Sequence, residues 1–219
     1  MLVSSSLEKP WDIVTHQGEP AHVPGAEPTG SVPPLAFRSM GLLTVGHGTL
    51  PAAALVALLT GAGVAAIADV RRYPASRRHP HFAADALEAT LAGAGIRYRW
   101  EPDLGGRRSP AADSPHTALR NAAFRGYADH MDSPAFAEAL DRVLAAAAGG
   151  TTAVLCAESV WWRCHRRLIA DAVVLGRGLG VDHLMHDGSL RPHAPTDGAR
   201  AAGGRVVYDA DEPGLTGTS

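Results

Sequence analysis

The chain has 219 residues, 46% of them hydrophobic, and a formal net charge of −2. That length supports one sizeable core with tails rather than two comfortable ones. The sequence pI of about 6.6 weakens a general nucleic-acid role, and no stretch approaches the roughly 18 uncharged apolar residues a transmembrane helix needs.

The first 39 residues include Pro10, Pro20, Pro24, Pro28, Pro33 and Pro34 and little periodicity. Such a segment buries too little apolar surface to offset chain entropy, so a disordered or loosely attached leader is expected over 1–39. MLVSSSLEKPWD has no basic start and no apolar run of the signal-peptide kind, which points to a cytoplasmic location. From residue 40 to 193 short apolar runs alternate with helical patterns, as in parallel β-α-β units. Strands are predicted at Leu42–Gly46, Val64–Asp69, Ile96–Trp100, Thr151–Leu155 and Val181–Met185. Helices are predicted at Pro51–Thr60, Phe82–Ala92, Pro134–Ala148 and Arg163–Leu175. Ser133 as N-cap with Pro134 at the first helical position fixes the third of these. Pro102–Met131 reads as a long loop, and loops of that length are commonly functional. Residues 194–219, rich in Gly, Asp and Pro, are expected as a flexible tail, although Arg205–Tyr208 has the pattern of a short edge strand. The predicted fold is α/β: an open, mostly parallel sheet of about five strands with helices on both faces, a Rossmann-like three-layer sandwich.

In such a sheet ligands bind beyond the carboxyl ends of the strands. The residues predicted there are His47; Asp69 with Arg71 and Arg72; Glu101 and Asp103; Cys156 with Glu158; and His186 and Asp187. Strand-end loops are polar in any case, so the convergence carries more weight than any one residue. Arg163, Arg166 and Arg167 fall near a helix start, where the macrodipole disfavours cations by about 0.3–1 kcal/mol each. Something anionic should compensate. Glu158 and Asp69 are internal candidates, and a phosphate, carboxylate or nucleic-acid backbone is an external one.

Only Lys9 among the 20 basic residues is lysine. Arginine suits carboxylate and phosphate recognition through its planar fork of donors. Arg71, Arg72, Arg77 and Arg78 flank Tyr73, which fits an anion clamp or equally a solvated loop. His79 and His81 have no third metal ligand at a recognisable spacing. Cys156 and Cys164 are expected as free thiols in a reducing compartment. The positive surroundings of Cys164 favour thiolate, whereas Cys156 fits an inert strand end. The Cys-x7-Cys-His spacing matches no familiar zinc pattern, so no metal ligand set is assigned. Trp161-Trp162 and Phe124-Arg125-Gly126-Tyr127 offer stacking surfaces or ordinary packing. Gly105-Gly106-Arg107-Arg108 lacks phosphate-loop spacing and reads as a flexible, charged turn.

The ordered motifs Thr44-Val-Gly-His47, Ala68-Asp69-Val-Arg71, Leu104-Gly105-Gly106, Phe124-Arg125-Gly126-Tyr127, Leu155-Cys156-Ala157-Glu158 and Arg163-Cys164-His165-Arg166 together resemble the bacterial and archaeal family called domain of unknown function 488. The resemblance runs from about Gly41 to His193. Gly48 departs from it, since Ser often follows the histidine there. It implies an α/β fold and a shared pocket, with no assigned reaction and no identified cofactor.

Three readings of the function follow. In the first, an enzyme binds a nucleotide, nucleic acid or phosphorylated metabolite. Its anion-holding and substrate-binding residues would be His47, Arg71, Arg72, Tyr127, Arg163, His165 and Arg166. Asp69 or Glu158 would be acid or base and Cys164 or Cys156 the nucleophile. Carboxylates spent on buried Arg pairs would leave no base. In the second, the same residues bind a nucleotide or nucleic acid without chemistry. The third is a thiol redox or metal-binding protein built on the two cysteines and nearby His.

Overall fold

The computed structural model describes residues 38–75 and 79–209. Six strands form one sheet in the order β3-β2-β4-β1-β5-β6: β1 Arg38–Gly46, β2 Ala66–Asp69, β3 Arg97–Trp100, β4 Thr152–Cys156, β5 Leu179–Leu184 and β6 Leu190–Pro192. All pairings are parallel except β5 with β6. β4 lies between β1 and β2 and is buried along its whole length, which is why its Thr-Ala-Val-Leu-Cys run is continuous rather than alternating.

Five helices cover the sheet: α1 Ala52–Gly61, α2 Ala84–Gly93, α3 Ala122–Met131, α4 Pro134–Ala148 and α5 Arg166–Arg177. Strand side chains alternate between two cores. Leu43, Val45, Ala153 and Leu155 meet Leu55 and Leu59 of α1 and Leu87 and Leu91 of α2. Leu42, Val154 and Cys156 meet Tyr127, Phe136, Leu140, Leu168 and Val173 from α3, α4 and α5. The architecture is a three-layer α/β sandwich, as the alternating pattern predicted.

The register aligns the strand ends that matter. Gly46 lies opposite Cys156, and Asp69 opposite Leu155 and Trp100. The ladder continues past the strands through His47 N–H to the Cys156 carbonyl (3.0 Å), Gly48 N–H to Ala157 (2.9 Å) and Val70 N–H to Leu155 (2.9 Å). Three chain segments therefore leave the sheet side by side.

The structure differs from the sequence expectations in several places. β1 begins at Arg38, inside the expected leader, while the rest of that leader and Arg77 and Arg78 lie outside the described residues. The sheet gains a sixth strand because the chain reverses after β5 through a turn at Asp187, whose carboxylate accepts from Ser189 N–H (2.9 Å). The long loop holds a helix, α3, capped by Asn121, whose side chain accepts from Ala123 N–H at 2.8 Å. α5 starts three residues later than expected, after a single 3-10 turn over Trp161–Arg163. Within the expected tail, β7 Ala199–Ala202 and β8 Arg205–Tyr208 pair as a hairpin, with Val206 and Tyr208 buried. No helix among the described residues is long and apolar enough to cross a membrane.

Candidate functional site

Asp69 ends β2 with no solvent exposure. Its Oδ1 accepts from Arg71 N–H (3.0 Å) and Nε–H (2.8 Å), and its Oδ2 from the second terminal nitrogen of Arg71 and from Tyr98 O–H (2.7 Å). The other terminal nitrogen of Arg71 donates to the Phe82 carbonyl at 2.7 Å. Burial, followed by the Asp69 charge and hydrogen bond, raises the Tyr98 phenol far above its ordinary value and keeps it a donor. Asp69, expected as acid or base, is thus closed off, and Arg71, expected to hold an anion, is spent on it. Their pairing is the internal Arg-carboxylate network that the sequence left as an alternative.

His47 packs at 3.9 Å on the Phe82 ring and donates Nδ1–H to the Gly48 carbonyl (3.0 Å). Burial, then the neighbouring Arg71 charge, lowers its pKa to about 4. It joins this network as a buried residue, its Nε2 turned to Arg71 at 3.5 Å.

The second cluster forms where β4 ends and α5 begins. Cys156, expected just after the strand, is its last residue. Both cysteines are free and buried. Cys164 Sγ accepts from Arg166 Nε–H at 3.4 Å and faces His165 Nδ1 at 3.7 Å. His165 donates Nε2–H to the Val70 carbonyl (3.2 Å), which leaves Nδ1 placed to share a proton with the sulfur. Tyr127 braces this ring at 5.0 Å between centroids and is itself tied by O–H to the Leu104 carbonyl (2.8 Å). The Cys156 thiol, His165 and Arg166 hold Cys164 well below the ordinary thiol range, the hydrogen bond from Cys156 contributing most. Cys156 is pushed well up as the proton-bearing partner, through the same contact and burial.

Arg166 answers the electrostatic puzzle of the helix start. It is 1% exposed, and its guanidinium turns back to the Cys164 sulfur and to the backbone carbonyl of Glu158. The partners of Arg166 are therefore a cysteine sulfur and a peptide carbonyl, and neither of the internal candidates, the Glu158 and Asp69 carboxylates, pairs with it among the described residues. This fold-back needs Gly46, where a Cβ would sit 1.9 Å from the Glu158 carbonyl oxygen and 2.8 Å from the Arg166 guanidinium.

Above the sulfurs lies a cavity of about 460 Å³ lined by Gly106, Arg107, Tyr127, Glu158, Arg163 and Cys164 among others. A neighbouring cavity of about 270 Å³, with Arg71, Arg72 and Tyr73, shares Gly106, Arg107, Cys156, Ala157 and His165 with it, so the two make one cleft. Glu158 is exposed there, its Oε1 accepting only from Val160 N–H (3.1 Å) among the described residues. No carboxylate among the described residues pairs with Arg72, Arg107 or Arg163. Arg107 was missed as a site residue. It sits at φ +61, the one non-glycine positive φ described. The preceding Gly105 and Gly106, read as a flexible turn, are closely approached by the site: a Cβ on Gly106 would stand 2.9 Å from His165 Nδ1, and one on Gly105 2.9 Å from Arg72 Cα.

A further buried chain joins Asp171, His193, His183 and Thr44. His193 Nε2–H donates to Asp171 (2.8 Å), His183 Nε2 meets His193 Nδ1 (3.0 Å), and Thr44 Oγ1 meets His183 Nδ1 (2.6 Å). Trp161 stacks on His183 at 3.9 Å, so it anchors the turn before Cys164 while Trp162 stays half exposed. In the sequence this chain is touched only at Thr44, inside a family motif, and at His193, where the resemblance ends; Asp171 and His183 carry no signal there.

No curated protein and no solved structure gives a significant match. Residues 51–173 match the family described as Domain of unknown function DUF488. That span begins beside α1, after His47, and closes inside α5, narrower at both ends than the motif resemblance. It contains the Asp69–Arg71 pair and the whole Cys156–Arg166 cluster, and it covers more than half of the 219 residues. The chain therefore belongs to the Domain of unknown function DUF488 family.

Proposed function

We propose that this protein is an enzyme that binds a small anionic substrate, a nucleotide or phosphorylated metabolite, at the carboxyl edge of the sheet, with Cys164 as nucleophile. One observation carries the reading. Cys164 Sγ, held by Arg166 Nε–H (3.4 Å) and facing His165 Nδ1 (3.7 Å), lies at the base of a cleft rimmed by Arg72, Arg107 and Arg163. Cations that no carboxylate among the described residues pairs with suit an anion supplied from outside, and an Arg-held sulfur next to an imidazole is the arrangement that activates a thiol. In this scheme Cys164 attacks the electrophilic centre of the bound anion and displaces a leaving group, which takes the thiol proton back from His165. Glu158, which lines the same cavity, accepts a proton from the water that then releases the product. Asp69 has no part in it, because its oxygens are occupied.

The test is turnover of a panel of nucleotides and phosphorylated metabolites. Wild-type protein is expected to turn over at least one of them. Cys164→Ser is expected to abolish that turnover, and Arg163→Ala to raise KM more than it lowers kcat. Unchanged turnover in Cys164→Ser overturns the nucleophile. Salt-sensitive binding of the panel without turnover by wild type replaces the enzyme with a binding module.

A further inference from the structure

The base of the cleft holds three soft donors whose arrangement has a use beyond nucleophilic attack. We propose that Cys156 Sγ, Cys164 Sγ and His165 Nδ1 form a binding site for a thiophilic divalent cation of the zinc type. All three donor atoms lie within 4.8 Å of one another. Around a tetrahedral ion with Zn–S of about 2.3 Å and Zn–N of about 2.0–2.1 Å, donors stand roughly 3.5–3.8 Å apart. The 3.7 Å between Cys164 Sγ and His165 Nδ1 already meets that spacing. Closing the third corner takes a shift of about 1 Å.

The imidazole is set for coordination. Its Nε2–H is committed to the Val70 carbonyl, and this is how a metal-binding histidine is usually fixed, with the other nitrogen left as a lone pair toward the ion. Gly106 pressed against one side and Tyr127 packed on the ring keep it from turning away. Two sulfurs and one imidazole select zinc over magnesium or calcium, which prefer oxygen. Three protein ligands with the fourth direction open to the cavity that Glu158 lines leave room for water or a substrate atom. The Arg166 Nε–H bond to Cys164 serves as an outer-shell donor that steadies the thiolate.

The residues lie eight and nine apart across two different elements, which is why no familiar zinc spacing appears in the sequence. A bound ion takes the Cys164 lone pair, so metal-loaded protein is silent as a thiol nucleophile and metal-free protein is competent. That consequence rests on the proposed nucleophile; the site itself does not.

Titration of metal-free protein with Co2+ tests the site. We expect near-ultraviolet sulfur-to-cobalt charge transfer and visible bands of a tetrahedral ion, both saturating at one ion per chain and removed by Zn2+. Cys156→Ser and Cys164→Ser should each weaken the charge-transfer band, and Cys164→Ser should lower affinity by more than the roughly 10- to 100-fold that loss of an outer-shell partner costs. Absence of charge transfer in wild type at equimolar Co2+ overturns the site, whatever the variants do. A band undiminished in a folded Cys164→Ser protein overturns it as well. The two readings separate cleanly: turnover without metal binding removes the site and keeps the nucleophile, whereas stoichiometric Co2+ binding by a protein whose turnover survives Cys164→Ser does the reverse.

Discussion

Asp69 and Glu158 are the same chemical class at the ends of neighbouring strands, yet burial divides their roles. Asp69 is sealed with Arg71 and Tyr98, while Glu158 faces the cleft. Asp69→Asn leaves the buried Arg71 charge without its counter-ion, and breaking a buried pair in this way costs about 3–5 kcal/mol. Urea unfolding should show that loss, and a loss under about 1 kcal/mol would mean that the pair is replaceable. Glu158→Gln, at an exposed site, should stay within about 0.5 kcal/mol of wild type. Gly106 poses the converse case, in which an added atom matters. Gly106→Ala puts a methyl group 2.9 Å from His165 Nδ1, so the ring must move and lose its bond to Val70. Turnover should fall with Gly106→Ala while the urea midpoint shifts far less than for Asp69→Asn. Unchanged kinetics would show that His165 tolerates displacement.

At the scale of elements, the Asp171–His193–His183–Thr44 chain ties α5 to β1, β5 and the segment after β6. Its position explains how the turn carrying Trp161 is held, since the indole lies flat on His183. Burial, then the charges of His193 and Arg166, lowers the His183 pKa to about 3. The groups facing it are Thr44 from β1, Trp161, His193 with Asp171 behind it, and Arg166. The folded-state pKa lies below the unfolded value of about 6.5, so the unfolded chain binds more protons between them. Stability from neutral His183 is therefore fully present above about pH 6.5 and is lost as pH falls toward about 3. Unfolding free energy measured across that window should decline on acidification, and less steeply in His183→Gln. Equal slopes in the two proteins would remove His183 as the cause.

Across the whole molecule, legibility followed sequence distance. α4 was read at its observed limits because its determinants are adjacent: Ser133 accepts from Phe136 N–H (3.2 Å) and Pro134 opens the helix. The strand ends were legible too, because apolar runs stop where they leave the core. α3 was hidden by Gly126, which looks like a breaker but sits where a Cβ would approach Ser109 C to 2.4 Å. Within the site, Arg72 and Arg163 were named from the sequence while Arg107 was not, and which arginines find a carboxylate among the described residues was not legible. Arg71 and Arg166 differ from Arg163 only in what folding brings to them. Of the C-terminal hairpin, β8 was legible as the short edge-strand pattern Arg205–Tyr208, whereas β7 and the burial of the hairpin were not, since its packing partners lie far upstream. Tyr208 has no solvent exposure, donates to Asp171 Oδ2 (3.0 Å), receives Ala118 N–H on its carbonyl (3.0 Å) and joins Val206 in the core beneath α3 and α5. Burying two such side chains is worth about 1.5–3 kcal/mol each, and the hydrogen bonds add roughly 0.5–1.5 kcal/mol apiece. A chain truncated after Asp197 should consequently lose several kcal/mol of a total that for ordinary domains is about 5–15 kcal/mol. Thermal unfolding should show a much lower midpoint than full-length protein, with Tyr208→Phe falling between them through loss of the Asp171 bond alone. A truncated chain as stable as the full one would restore the reading of residues 194–219 as a tail.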